Sequence, residues 1–242
     1  MILVVSCRND PASSPEELQT TMESQHFKYF LSEFDQIDTT WQETYYTWLI
    51  DTLNVSLNQK LVYHKYENRQ HLKEITGRNT NGFAEVGTYD FHTIWPVDNH
   101  ESVHNIVTLI IGHPPALFNE GIAVAHQAIY SAYPDKPFIP GWNGQDFDQL
   151  SKEYLADSFP TLDELIESKS FFKFDTNKTY PVAGSFVRYL IDKHGLEKMK
   201  AFISKSEFNA KKASTKAHFS DTYDMSINDA WDEWKTHLET NI

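Results

Sequence analysis

The residues best suited to chemistry in this sequence form the pattern His-Glu-x-x-His, at His100, Glu101 and His104. On an α-helix, positions i and i+4 lie one above the other on the same face, so both imidazoles can bind one metal ion. Glu101 then flanks the ion without binding it, and can accept a proton from a water molecule there, as zinc hydrolases require. Such a site also needs a third protein ligand and one position open for water.

The third ligand is predicted on a second helix. A glycine and two prolines end the first helix, and Ala116–Gln127 can follow as another helix folded back on it. Glu120 lies on this segment beside two small residues, Gly121 and Ala123, which let helices approach closely. Two histidines and one glutamate are a known catalytic zinc set with one coordination position left for water. The sequence therefore predicts a Zn²⁺ site.

A chance match is the alternative to consider, because the chain contains 11 histidines and the short motif is not specific by itself. In that reading, two histidines and a solvated glutamate lie on a helix surface. Two features favour the metal site. The first is the downstream Glu-Gly-Ile-Ala segment, and the second is the apolar helical pattern around the motif, formed by Val103, Ile106, Val107 and Ile110.

These motifs resemble those of the gluzincin branch of zinc metallopeptidases, with His-Glu-x-x-His on one helix and a glutamate on the next. The similarity is greatest to bacterial peptidase MA-like domains and more distant to the catalytic domain of M1 aminopeptidases. It implies an α+β, mainly helical zincin-type fold with a small mixed β-sheet on its N-terminal side. It also implies that His100, His104 and Glu120 bind zinc and that Glu101 is the general base. The spacer between His104 and Glu120, residues 105–119, is shorter than in M1 enzymes, which puts a direct M1 assignment in doubt.

A second segment carries the same resemblance. Residues 180–187 read Tyr-Pro-Val-Ala-Gly-Ser-Phe-Val, similar to the Tyr-x-x-Ala-Gly-Ser-Phe-Val that peptidase MA-like domains carry at a helix start. The resemblance implies that the phenol of Tyr180 stabilises a developing oxyanion, a contribution of roughly 2–4 kcal/mol for one donor. The alternative is a tyrosine packed at a helix start with its hydroxyl bonded to the backbone.

Another short segment is compared with the M1 enzymes. Residues 82–85, Gly-Phe-Ala-Glu, share only the glycine and the glutamate with the Gly-x-Met-Glu-Asn motif that holds a free amino terminus in M1 enzymes. Exopeptidase activity is therefore not supported.

Trp142 lies in a Pro-, Gly- and aromatic-rich loop, where an anchoring contact is favoured over a place in the cleft.

Composition limits the function classes. With 242 residues, 40% hydrophobic and 14% aromatic, the chain can bury the core of one domain and is not a disordered protein. A net charge of −13 argues against nucleic acid and anionic membrane surfaces as partners, because phosphate binding requires clustered Lys and Arg. A peptide or protein is the expected substrate.

The single cysteine, Cys7, follows Val4-Val5-Ser6 as in the lipobox of bacterial lipoproteins. Residues 1–18 are interpreted as a signal remnant and linker, and residues 19–242 as one domain. The protein is expected in the bacterial cell envelope or outside the cell, with a cytoplasmic location as the alternative. The apolar stretch before Cys7 is short, so either the natural start lies upstream or Cys7 is an ordinary thiol in a first strand. Lipidation is the only membrane attachment expected. The alternative function is a zinc-containing lipoprotein that binds or scaffolds without turnover.

Secondary structure is predicted from periodicity and capping residues. Strands are expected at 26–34 and 59–66, and two short ones within 83–95. The first long helix is expected to be capped by Thr39-Thr40 with Glu43 as capping-box partner. Further helices are expected at 69–75, 98–111, 116–130, 147–158, 161–168, from 180, 196–206, 210–219 and 227–238.

Overall fold

The N-terminal part of the chain supplies a small mixed sheet and the remainder is mainly helical, so the predicted α+β class is confirmed. The computed structural model describes residues 18–32, 36–130, 138–142 and 144–242. Its strands are β1 (Gln19–Glu23), β2 (Phe27–Leu31), β3 (Leu61–Lys65), β4 (Gly82–Ala84), β5 (Asp90–Thr93), β6 (Ala128–Tyr130) and β7 (Phe138–Pro140). Its helices are α1 (Thr39–Leu53), α2 (Arg69–Thr76), α3 (Asn99–Ile110), α4 (Ala116–His126), α5 (Phe147–Leu155), α6 (Leu162–Leu165), α7 (Ser168–Phe171), α8 (Thr176–His194), α9 (Leu196–Ser204), α10 (Lys212–Tyr223) and α11 (Ile227–Asn241).

The larger sheet has the order β1-β2-β3-β5-β4. Its centre, β2, β3 and β5, is parallel, while β1 and β4 pair antiparallel at the two edges. Side chains alternate along each strand, so Phe27, Tyr29 and Tyr63 are buried against helices on one face. The opposite, outer face carries Phe30, His64 and other partly exposed rings. The two-stranded sheet β6–β7 stands apart from it.

Helices α4 and α8 form the centre of the helical part. Every residue of α4 is buried. Gly121 permits its close approach to α8, because a Cβ added there would lie 2.7 Å from the carbonyl oxygen of Ala183. A Cβ at Gly184 would likewise clash with Val124. The small residues next to Glu120 were expected to bring helices together, and they do so between α4 and α8.

Several element ends differ from the prediction. The cap of α1 is Asp38, whose carboxylate accepts from the Trp41 backbone N–H at 2.9 Å, instead of Thr39-Thr40. A carboxylate one residue earlier satisfies the free N–H groups of the first turn, so the threonines lie within the helix. Glu43 makes no capping box and instead binds the backbone N–H and ring of His26. The strand predicted at 26–34 is β2, which ends at Leu31, and residues 33–35 lie outside the described part.

Two helices around the site also begin or end elsewhere than expected. Helix α4 stops at His126, because Gln127 is extended and leads into β6. Helix α8 begins at Thr176, capped by Asp175, so Tyr180 lies one turn inside it and not at its start. Thr161 and Glu164 form a capping box at the start of α6, and two short helices, α6 and α7, replace the single one predicted at 161–168.

Among the described residues, no helix is both long and apolar enough to cross a lipid bilayer. The lipobox hypothesis concerns Cys7, which lies outside the described residues, as do residues 131–137 of the long loop.

Candidate metal centre

The start of α3 orients the His-Glu-x-x-His segment. Asp98 caps the helix, and its carboxylate accepts from the Glu101 backbone N–H at 2.9 Å. Its backbone carbonyl also accepts from the Ser102 hydroxyl at 2.6 Å. Because the helix is regular from Asn99 onward, His100 and His104 lie on one face, with ring centroids 4.6 Å apart and ring planes nearly perpendicular at 84°.

Three potential ligand atoms converge at this face. Nε2 of His100 and Nε2 of His104 are 3.0 Å apart, and each is 3.2 Å from Oε2 of Glu120 on α4. Ligands about 2.0–2.1 Å from a tetrahedral zinc ion stand about 3.3 Å from one another. The three atoms are therefore spaced as the ligands of one small ion would be. In the described part of the chain, no other group of three or more such side chains meets this condition.

The electrostatics of the cluster favour a bound cation. Burial alone would raise the pKa of Glu120, but His104 and His100 outweigh it and hold that pKa well below its usual range. Burial alone would lower the pKa of His100, yet the Glu120 carboxylate raises it to about 9. An ionised carboxylate that is only 7% exposed thus requires positive charge beside it. A dication between the ligands meets the same requirement.

Outer contacts set the orientation of both rings. Oε1 of Gln127 lies 2.7 Å from Nδ1 of His100 and accepts its proton, which leaves Nε2 free to bind an ion. The Gln127 amide in turn donates to the carbonyl of Gly141 at 3.0 Å. The Asn119 side-chain amide lies 3.2 Å from Nδ1 of His104, and with the amide group turned by 180° its oxygen accepts the Nδ1 proton, which leaves Nε2 free to bind an ion. Both imidazoles are thereby held with Nε2 directed at Glu120, and this donor set fits zinc.

Glu101 lies beside the cluster without joining it. A methyl group added at Gly82 on β4 would stand 3.0 Å from Cγ of Glu101 and 3.1 Å from Oδ2 of Asp98, so a larger residue would press on both side chains. Burial raises the pKa of Glu101 to about 7, and the charge of Asp98 adds to the effect. A dication bound next to it would lower this value again. With a dication bound, the carboxylate is therefore ionised at neutral pH and can accept a proton.

Tyr180 reaches the same cleft from α8. Its ring stacks on His100 with a centroid distance of 5.7 Å and an angle of 8°. Burial raises the pKa of Tyr180 and the Glu120 carboxylate adds to this, so the hydroxyl keeps its proton. Trp142, favoured from the sequence as a loop anchor, lies edge-on to Tyr180 at 5.5 Å and lines the cleft. Its backbone also bridges to Gln145, so it anchors the loop as well.

The cleft has a volume of about 690 Å³. All five residues singled out from the sequence line it: His100, Glu101, His104, Glu120 and Tyr180. Its other wall is the edge strand β4. Glu85 is directed away from it, at 3.2 Å from His92 on the outer face of the sheet. That residue does not occupy the place of an amino-terminus-binding glutamate.

Sequence reasoning missed Gln127 and the contact role of Gly82. The position of Gln127, 27 residues after His100, offers no local signal because the contact depends on how α4 turns into β6. The glycine before the aromatic Phe83 was a usable signal, since a glycine in a strand often marks a close approach.

Comparisons with known proteins do not identify a relative. No protein-family model matches the chain, and no curated protein matches it in sequence.

Proposed function

We propose that the protein is a zinc-dependent peptide-bond hydrolase of the gluzincin type. The observation that carries the proposal is the convergence of His100, His104 and Glu120 on one point with Glu101 beside them. The motif resemblance of residues 100–104 and 180–187 supports it. The zincin character of the fold and the identity of the metal are part of the proposal.

A zinc ion held by the three side chains would supply a Lewis acid and lower the pKa of a bound water from about 16 toward about 7. Glu101 accepts a proton from the attacking water and later delivers it to the leaving amine nitrogen. The water oxygen bonds to the peptide carbonyl carbon, and the carbon–nitrogen bond then breaks. The Tyr180 hydroxyl donates a hydrogen bond to the carbonyl oxygen as that oxygen gains negative charge.

The edge strand β4 supports a peptide as the substrate. It pairs with β5 on one side, no other described strand pairs with its second side, and residues of β4 line the cleft together with Glu101. An extended peptide can add to such an edge through backbone hydrogen bonds, with little demand on sequence. This arrangement would place a peptide carbonyl beside the metal centre.

Glu101→Gln tests the proposal. The variant keeps the ligands and the shape of the site but has no basic carboxylate, so it should bind zinc as the wild type does and lose turnover by a factor of 10³ or more, a change of about 4 kcal/mol. The measurement is digestion of an unbiased peptide library by both zinc-loaded proteins. If the wild type and Glu101→Gln cleaved the library at the same rate, Glu101 would not be the general base. No cleavage by either, with zinc bound, would favour a binding or scaffold protein.

A further inference from the structure

The cleft carries positive charge away from the metal centre, although the protein as a whole has a net charge of −13. The acids lining it, Asp98, Glu101 and Glu120, all belong to the start of α3 or to the candidate metal cluster. Arg69 and Arg78 also line it, and Arg78 lies over the ring of Phe83 on β4. A substrate that runs along the cleft therefore meets two guanidinium groups in an otherwise acidic protein.

Arg78 is held in place by stacking. Its guanidinium carbon lies 4.0 Å from the centre of the Phe83 ring. Phe83 stacks on His92 at 4.5 Å and 13°, and His92 stacks on His64 at 4.4 Å and 8°. Burial lowers the pKa of His92 to about 3, so this ring is uncharged at neutral pH. An arginine stacked by its face keeps its N–H edge available, and that edge matches the geometry of a carboxylate.

In the part of the chain that the structure describes, Arg78 also has no acidic partner. Among the described residues, neither arginine forms an ion pair. Arg69 donates to the side-chain and backbone oxygens of Asn79 at 3.0 and 2.6 Å, which fixes the loop that carries Arg78. The acids of the outer sheet face are engaged elsewhere: Glu85 pairs with His92, and Asp90 with His64.

The register of an added strand brings a substrate side chain to Arg78. Directly opposed residues of neighbouring strands place their side chains on the same face of a sheet. Phe83 projects from the outer face of β4, where it carries Arg78. The substrate residue opposite Phe83 would therefore present its side chain to the free edge of that guanidinium.

We propose that Arg78 is a specificity-determining residue, which selects peptides with Asp or Glu at the single position opposite Phe83. The inference rests on the peptide hydrolysis proposed above and adds a substrate class to it. Arg69 is a positioning residue in this arrangement, because it acts through the loop at Asn79.

Quenched-peptide libraries with one position fixed as Glu, Gln or Lys provide the test. The zinc-loaded wild type should cleave Glu peptides about tenfold faster than Gln peptides at one fixed position, and Lys peptides more slowly still. In Arg78→Gln the Glu-to-Gln rate ratio at that position should fall to about one. Arg78→Lys keeps the charge without the planar fork and should give a ratio between the two. Arg188→Gln is the matched control, since Arg188 pairs with Asp192 and lines a different cavity.

The outcomes are distinct. The proposal is supported if Arg78→Gln cleaves Glu and Gln peptides at nearly equal rates while Arg188→Gln keeps the wild-type preference for Glu peptides. The specificity proposal is wrong if the wild type cleaves Glu and Gln peptides at the same rate, or if Arg78→Gln keeps the wild-type ratio of the two rates. Neither result contradicts the hydrolase function. If zinc-loaded wild type cleaves no library at all, the hydrolase function fails and the specificity inference fails with it.

Discussion

Two pairs of histidines in this protein have nearly the same ring separation and entirely different surroundings. The rings of His100 and His104 on α3 are 4.6 Å apart and perpendicular, with both Nε2 atoms aimed at one carboxylate oxygen. The rings of His64 and His92 in the sheet are 4.4 Å apart and parallel. Only the first pair has the geometry of a metal centre.

The backbone explains the difference. His64 and His92 are direct partners in the register of β3 and β5, so their rings lie side by side and stack. Each then pairs with its own acid, His64 with Asp90 at 2.8 Å and His92 with Glu85 at 3.2 Å. Histidine and acidic residues alone therefore do not make a metal site. Spacing on a helix, with one shared acid from a second helix, brings their ligand atoms together.

The largest difference between the two clusters is expected when the tyrosine of each is replaced. Tyr180→Phe removes the oxyanion donor, so peptide turnover should fall about 10²- to 10³-fold with zinc content unchanged. Tyr66, whose hydroxyl bonds Nδ1 of His92 at 2.8 Å, is the comparison. Tyr66→Phe should lower the free energy of unfolding by about 1 kcal/mol and change turnover less than about twofold. Steady-state kinetics and urea unfolding measure both. Equal rate losses in the two variants would remove the distinction between the clusters.

A smaller effect is expected from the residues that orient the histidines. Gln127→Ala frees the His100 ring, and the dissociation constant for zinc should rise about 10- to 100-fold. Asp90→Asn weakens the partner of His64 in the same way but should leave the dissociation constant for zinc unchanged, because His64 is not among the three proposed ligands. Competition with a chelating indicator gives both constants. A rise in Asp90→Asn equal to that in Gln127→Ala would contradict the assignment.

The smallest effect concerns pH and the sheet cluster. Burial, with the charges of His64 and Arg78, lowers the pKa of His92 to about 3, whereas an unfolded histidine titrates near about 6.5. As the pH falls, His92 is therefore protonated in the unfolded chain before it is protonated in the folded protein. The stability that the neutral ring contributes is complete above about pH 6.5 and is lost as the pH falls toward 3. His92→Phe keeps a ring in the stack and removes the titration.

Urea unfolding at pH 7 and at pH 5 measures this contribution. The loss of unfolding free energy between the two pH values should be smaller in His92→Phe than in the wild type by roughly 1–2 kcal/mol. An identical loss in both proteins would show that His92 is protonated as easily in the folded state as in the unfolded one.

The local parts of the site were predictable from the sequence. Helical geometry places His100 above His104, and Asp98 caps α3 because a short acidic side chain satisfies the free N–H groups there. The helix carrying Glu120 followed from the turn residues before it. These features depend on neighbouring residues only, which is why the pattern was sufficient.

The tertiary parts were not predictable. The resemblance of residues 180–187 implied a helix that begins at Tyr180, but the cap at Asp175 starts α8 at Thr176. The packing of Glu101 against Gly82 depends on where the edge strand meets α3. The parallel stack that removes His64 from metal binding depends on strand register, which no local pattern specifies.

The zinc content of the purified protein after dialysis against metal-free buffer tests the three-ligand site most directly. We expect one zinc ion per chain in the wild type and in His64→Ala, and none in His104→Ala. A full zinc ion retained by His104→Ala, or its loss from His64→Ala with His104→Ala unaffected, would contradict binding by His100, His104 and Glu120.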